Sequence, residues 1–293
     1  MNKLGGQWFV LIAAILWGTT GTAQAFAPAG AQPQSVGAVR LLVGGFALLL
    51  IALSRGAFRG QKHWLSPATI IAGVSIALYQ LCFFSAVART GVAAGTIVAI
   101  GSAPVFAGLL GLLFRGEHPG WKWGIATILA VLGCTLLIAN SGELLLNLPG
   151  IVLALGAGLA YAVYTVASKR LLEKQPAEAV MAIVFCLGAT LLLPLLVTSD
   201  ITWIMKPGGL VVALHLGLVA TALAYLLFAR GLRLIPVATA VSLSLAEPLT
   251  AAFLGIVVLG EQLTPLSFLG MALIFSGLLL LSVNPAIFKK ATV

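Results

Sequence analysis

The chain has 293 residues, 61% of them hydrophobic and only 8% charged, with a formal net charge of +9. Soluble domains carry roughly 25% charged residues, so this composition excludes a soluble enzyme or binding module and leaves an integral membrane protein without a large extramembrane domain. The basic excess does not point to nucleic acid, because the basic residues lie in short loops between apolar runs, where they set topology.

Ten apolar segments have the length a helix needs to span a bilayer. They run near 8–27, 35–54, 67–87, 92–114, 121–140, 150–168, 177–197, 208–229, 236–259 and 265–284. Helices are expected, because a spanning backbone must satisfy its own hydrogen bonds and no segment alternates like a barrel strand. Lys3, the first apolar run and Ala23-Gln24-Ala25 resemble a secretory signal with its cleavage site. A matching segment recurs in mid-chain, so the first one is expected to be retained. Thirteen of the sixteen basic residues fall on one side, from Lys3 and Arg55 through Arg115, Lys122, Lys169 and Arg230 to Lys290. Arg89 and Lys206 fall on the other, and Arg40 is left inside the second segment. Positive residues stay inside, so both termini are expected in the cytoplasm and the chain in a bacterial-type inner membrane. Cys82, Cys134 and Cys186 lie in apolar segments with no CxxC pair and read as packing residues, with no metal site and no cofactor expected.

An internal repeat organises the whole chain. Under a shift of 144 residues, Gly6 meets Gly150, Gly44 meets Gly188, Gly73 meets Gly217, Pro104 meets Pro248, Gly116-Glu117 meets Gly260-Glu261, and Gly133 meets Gly277. Five segments per copy is an odd number, so the second copy enters the membrane from the opposite side. The expected fold is an all-α membrane protein of ten transmembrane helices in two inverted five-helix repeats, residues 1–144 and 145–293. Inverted repeats are the architecture of many secondary transporters. Pro104 and Pro248 fall inside the fourth and ninth segments. A mid-helix proline removes a hydrogen bond and costs about 3 kcal/mol. Broken helices at matching positions point to a midplane site, so both prolines are read as helix breaks with a gating role. Kinks for packing are the alternative.

Two five-helix repeats, each with Pro-x(12)-Glu closing its fourth helix (Pro104 to Glu117, Pro248 to Glu261), resemble the EamA-type transporters of the drug/metabolite transporter superfamily. The Gly-rich fifth helices (Gly124 to Asn140, Gly270 to Asn284) and the opening LIAAILWGTTGTAQ share this resemblance, which covers essentially the whole chain. Within the superfamily the chain is most similar to YddG-like exporters of aromatic and other amino acids, some of which also expel cationic compounds. The resemblance implies a central cavity lined mainly by the first, third, fourth, sixth, eighth and ninth helices and opening alternately to each side. It also implies the substrate class, an amino acid or related metabolite.

Five of the six tryptophans, Trp8, Trp64, Trp121, Trp123 and Trp203, lie at segment ends or in loops, where an aromatic belt belongs. Trp17 falls at mid-membrane, with Thr20 and Gln24 on roughly its own face. Its counterpart is Tyr161, which shares a face with Tyr164. Tyr79 and Phe83 pair in the same way, with Gln80 beside them. Aromatic walls with polar tips suit a flat amphipathic solute; the alternative is that these rings fill helix seams. Ser102, two residues before Pro104, is counted with the site.

Glu247 has no twin, because Ala103 stands at the matching position. A carboxylate at mid-membrane costs on the order of 3 kcal/mol, and such groups face a bundle interior or a cavity. It is expected to attract an amino or cationic group, or to carry a proton. Ser242 and Ser244 precede it within bonding reach of its carboxyl or a ligand. Arg40 is expected to snorkel to the outer surface, or else to pair with a substrate carboxylate or with Glu247. His215 reads as a hydrogen-bonded structural residue. Glu117 and Glu261 suggest a capping or ion-pair role, for Glu117 near Lys122. Gly44-Gly45, Gly156-x-Gly158 and Gly108-x-x-Gly111 read as packing faces.

No phosphate loop, HExxH or GxSxG is present, and Asp200 is the sole aspartate, so neither an ATP-driven pump nor a membrane enzyme is supported. A channel would show charged rings or a repeated filter. The expected function is export of aromatic and other neutral amino acids by alternating access. The alternatives are a proton-coupled exporter of cationic drugs, or a channel. Lipid and a small-molecule substrate are the partners implied.

Overall fold

The computed structural model describes residues 3–59, 64–138, 147–260, 262 and 264–282, side chains at 3, 91–94 and 97 excepted. These residues form helices and connecting turns, with no strand among them. In order they are α1 Lys3–Ala25, α2 Pro33–Ser54, α3 Pro67–Arg115, α4 Trp121–Ile138, α5 Leu148–Leu172, α6 Ala177–Leu191, α7 Leu193–Thr198, α8 Gly209–Leu214, α9 Ala224–Leu232, α10 Val237–Leu243, α11 Ala246–Leu259 and α12 Pro265–Ser282. A short 3-10 helix, Thr202–Met205, precedes α8, and a π-helical stretch, His215–Leu223, joins α8 to α9. Eight stretches are long and apolar enough to cross a membrane; Trp121–Leu136 and Ala177–Leu191 are shorter apolar helices.

Several expected segments divide differently. α3 holds two spans, Pro67–Thr90 and Val98–Arg115, without losing helical structure between them. It cannot be straight there. A Cβ on Gly95 would sit 3.1 Å from Val87 Cα, whereas eight residues of straight helix advance about 12 Å. The chain therefore folds back between Val87 and Gly95. The segment at 177–197 splits into α6 and α7, because Pro194 has no N–H to continue the ladder. The segment at 208–229 contains the π-helical stretch, for which the apolar pattern holds no signal.

The two prolines behave differently. α3 continues as helix through Pro104, so the expected break is not seen there. The ninth segment does break. Ser244 and Leu245 separate α10 from α11, the Leu245 N–H bonds Ser242 at 3.2 Å, and the Glu247 N–H bonds the Ser244 carbonyl at 2.9 Å. Pro248 then falls in the first turn of α11, where a missing N–H is harmless.

Sequence punctuation explains other boundaries. Ser66 caps α3, its hydroxyl accepting from the Thr69 N–H at 3.2 Å, and Asn147 caps α5, accepting from Gly150 at 2.9 Å. Gly116 and Gly260, counterparts in the repeat, end α3 and α11 with φ of 62° and 72°, a conformation that only glycine adopts freely.

Close helix contacts recur under the 144-residue shift with partners exchanged. A Cβ on Gly133 would lie 2.5 Å from the Gly270 carbonyl, and one on Gly277 would lie 2.7 Å from the Ala126 carbonyl. Gly44 packs on the Gly217 carbonyl, and Gly188 packs on that of Gly73. Gly6 meets Leu234, and Gly150 meets Thr90. In each pair both members shift by 144 and change sides, as halves related by a two-fold axis would require. Backbone packing of this closeness needs small residues and is what holds helices together in lipid.

Two tryptophans expected in the aromatic belt are elsewhere. Trp203 is 1% exposed and donates to Ser35 at 3.2 Å; the polar turns around it bury it instead of presenting it to lipid. Trp123 lies over Gly108, and its indole N–H is shared between Ser242 Oγ at 2.9 Å and the Ala238 carbonyl at 3.2 Å. Trp8 and Trp121 are exposed, at 59% and 71%.

At the end of the bundle rich in basic residues, Glu117 joins distant segments. Its Oε1 pairs with Arg115 and Lys169, each at 3.1 Å, and its Oε2 accepts the Val237 N–H at 2.7 Å. Its partner is Lys169, not the expected Lys122, because the fold brings α5 and α10 to it. Arg115 also bonds Glu173, and Glu178 pairs with Arg230 at 2.7 Å and Arg55 at 3.6 Å. Glu261, Lys62, Lys289 and Lys290 lie outside the described residues, as do Asn140 and Asn284.

Candidate functional site

All four tyrosines of the chain and Trp17 form one aromatic cluster in the interior. Trp17 on α1 meets Tyr161 on α5 edge to face, with centroids 6.4 Å apart, and Tyr225 on α9 at 4.8 Å. Tyr79 on α3 touches Tyr161 at 5.6 Å, and Tyr164 touches both Tyr161 and Tyr225.

A cavity of about 50 Å³ opens at this cluster. Three of its facing positions are repeat counterparts: Trp17 and Tyr161, Ile100 and Ser244, Ala103 and Glu247. The cavity therefore sits where the halves meet, and its chemistry is asymmetric. The second half contributes a hydroxyl and a carboxyl where the first contributes Ile100 and Ala103. Tyr79, Tyr225 and Arg40 complete the polar lining. A space of this size holds only a small group; a larger solute requires the walls to part.

The break between α10 and α11 turns Ser244 and Glu247 toward this space. Ser244 Oγ donates back to the Ala240 carbonyl at 3.1 Å. The Glu247 carboxyl has no hydrogen bond or ion pair among the described residues. Arg40 is also here, and does not snorkel outward. Its Nε donates to Thr221 Oγ1 at 3.2 Å, and that hydroxyl donates to the Leu216 carbonyl at 2.8 Å. Thr221 lies in the π-helical stretch, which carries the anchor to α2. Two donors in the cavity wall, Trp17 Nε1 and the Tyr161 hydroxyl, are buried and close no hydrogen bond in the protein.

Of the residues expected to bind substrate, Trp17, Tyr79, Tyr161, Ser244 and Glu247 come together here. The others do not line the cavity. Tyr164 is one layer deeper, with its hydroxyl on Met181 Sδ at 3.4 Å. Phe83 stacks on Tyr79 at 5.8 Å but packs beside α5. Gln80 faces away from the cluster, toward the Gly37 carbonyl at 3.5 Å and a separate small cavity. Ser102 bonds the Ala99 carbonyl at 3.2 Å in the seam where Gly158 meets α3. Thr20 and Gln24 are half-buried on α1, away from the cavity. Ser242 points to α4, where it bonds Trp123 and Thr127. Tyr225 went unnoticed in the sequence; its scarcity as one of four tyrosines was the available signal.

His215 Nε2 is hydrogen-bonded to Thr19 Oγ1 at 2.8 Å, and Thr19 Oγ1 also lies 2.7 Å from the Leu16 carbonyl. The pair lines a wider, largely apolar groove with Phe26, Val211 and Leu254. Among the described residues, no three of His, Cys, Asp and Glu come together as metal ligands.

Comparison with known proteins bears on this arrangement. The model of the EamA-like transporter family matches residues 4–139 and again 148–283. The chain is 49% identical to the uncharacterized transporter YwfM of Bacillus subtilis (strain 168), over 97% of this chain and 95% of that one. It is 31% identical to the threonine/homoserine exporter RhtA of Escherichia coli (strain K12), over 91% of this chain and 87% of that one. A solved crystal structure at 21% identity covers 98% of this chain and 99% of its own, with a TM-score of 0.82, a likeness of fold.

Proposed function

The chain belongs to the EamA-like transporter family, and from that premise we propose that it exports neutral amino acids, aromatic ones among them, by alternating access. The observation that carries this reading is the cavity itself: an aromatic-walled space where the repeat counterparts Trp17 and Tyr161 meet, with the Glu247 carboxyl and the Ser244 hydroxyl facing it from the second half where the first has Ala103 and Ile100. Ring walls pack on apolar side chains, and the polar tips hold a polar end. RhtA, named for two amino acids, supports the class.

The transport unit is ten spanning helices in two inverted repeats, 1–144 and 145–293, with both termini in the cytoplasm. The exchanged glycine contacts and the two family matches support that division. The basic end then faces the cytoplasm. Glu117 and Glu178 hold it shut through pairs that join the two halves, Glu117 to Lys169 and Arg55 to Glu178. Entry of substrate from the cytoplasm breaks these pairs as the halves rock. The α10–α11 break beside Pro248 gives the site a joint on one side, whereas the Val98–Arg115 part of α3 moves as one helix through Pro104.

A cation exporter is the second reading, favoured by Glu247 in the cavity. Arg40 in the same cavity counts against it, because a permanent positive charge repels a cationic solute in low dielectric. Purified protein in liposomes tests the proposal. Tryptophan, phenylalanine, threonine or homoserine flux should exceed that of empty liposomes and saturate. Faster movement of organic cations than of any amino acid would favour the second reading.

A further inference from the structure

We infer that Arg40 and Glu247 read the two charged ends of a zwitterion, so that the cavity selects α-amino acids over amines or acids bearing the same side chain. This rests on the amino-acid reading and assigns its head-group chemistry.

Both residues line one cavity, from α2 and α11. With Glu247 ionised they carry opposite charges, and no ion pair joins them among the described residues. Unpaired charges inside a membrane protein are costly, and removing one partner of a buried pair leaves the other uncompensated. Left free, the two would gain by closing on each other. Thr221 restrains Arg40. It accepts from Nε and is itself fixed by donating to Leu216, which leaves both terminal guanidinium nitrogens without a protein partner among the described residues. Those two nitrogens match a carboxylate. The carboxyl of Glu247 likewise has no protein partner among the described residues and suits an ammonium.

A zwitterion satisfies both groups at once. A monofunctional analogue satisfies one and leaves the other buried and unpaired, the situation in which polar sites discriminate most strongly. The aromatic wall then takes the side chain and sets only a loose preference, because apolar pockets discriminate weakly. Thr221 is a positioning residue: its hydroxyl touches Arg40 and acts through it.

The experiment is counterflow in liposomes, with the fastest-moving amino acid of a phenylalanine and threonine panel as labelled reporter. Competitors are the unlabelled amino acid, the amine lacking its carboxylate, and the acid lacking its amine. Both analogues should compete at least about tenfold more weakly than the amino acid. Arg40→Gln should narrow the gap for the amine, and Glu247→Gln should narrow it for the acid. Thr221→Val should raise KM with little change in kcat, and Thr221→Ser should restore it. If the wild-type protein accepts the amine or the acid as well as the amino acid, the inference is overturned while amino-acid export stands. If no amino acid moves, the export reading itself falls. The wild-type comparison needs no variant to fold.

Discussion

Trp17 and Tyr161 occupy equivalent positions in the two halves and meet edge to face, with ring centroids 6.4 Å apart. A residue that touches its own counterpart lies beside the axis relating the halves. The indole N–H and the phenol hydroxyl are both buried there without a hydrogen bond. An unmet buried donor costs about 1–3 kcal/mol, which a substrate acceptor would relieve.

Tyr161→Phe should therefore leave thermal stability unchanged or slightly raised while raising KM for the transported amino acid. Tyr164→Phe, one layer deeper with its hydroxyl on Met181, should leave KM alone. Melting curves in detergent and liposome kinetics separate the two. Equal effects on KM would remove Tyr161 from the site.

The two prolines should differ. Pro104 lies in continuous α3, so Pro104→Ala should preserve transport and stability. Pro248→Ala restores an N–H and favours joining α10 to α11, which would draw Ser244 and Glu247 out of place. Its flux should fall at least about tenfold at similar expression. Equal tolerance of both substitutions would show that the break has no part in transport.

The α4–α12 contact should resist even one methyl group. Gly133→Ala and Gly277→Ala each push a Cβ into a facing carbonyl and should lower the melting temperature. Gly124→Ala, with nothing within 4 Å of the new Cβ, should be neutral or stabilising by about 0.5–1 kcal/mol. Thermal melts of the three variants check this, and similar melts for all would contradict the packing account.

Glu117 should matter for stability through Val237 and Lys169. Glu117→Ala removes a helix cap worth about 1 kcal/mol and leaves Lys169, 12% exposed, with the Ile235 carbonyl at 2.6 Å. A fall in melting temperature of about 2–4 °C is expected. Glu117→Gln keeps an acceptor for Val237 and should fall in between. An unchanged melt for Glu117→Ala would rule out the cross-half tie.

Much of this was legible in the sequence, and the reasons are specific. Scarce residues carried the repeat: the Gly-Glu pairs and the glycines at 133 and 277 stand out in an apolar chain. Glu247 declared itself because its counterpart is Ala103. The rotation of each helix was hidden, since lipid-facing and core-facing residues are equally apolar here and leave little periodicity to read. That is why Arg40 was expected outside and lies inside, and why Gln80, Ser102 and Ser242 were expected in the cavity or near it and face other helices. Trp203 misled because a loop position says nothing about what folds over it. The π-helical stretch that sets Thr221 beside Arg40 has no composition of its own.

The most direct test of the central claim is counterflow in liposomes of purified protein, with labelled tryptophan, phenylalanine, threonine and homoserine in turn. An alternating-access carrier predicts saturable flux of at least one of them, accelerated by the same unlabelled amino acid on the opposite side. Flux no faster than in empty liposomes, or flux that rises linearly without acceleration from the far side, would contradict it.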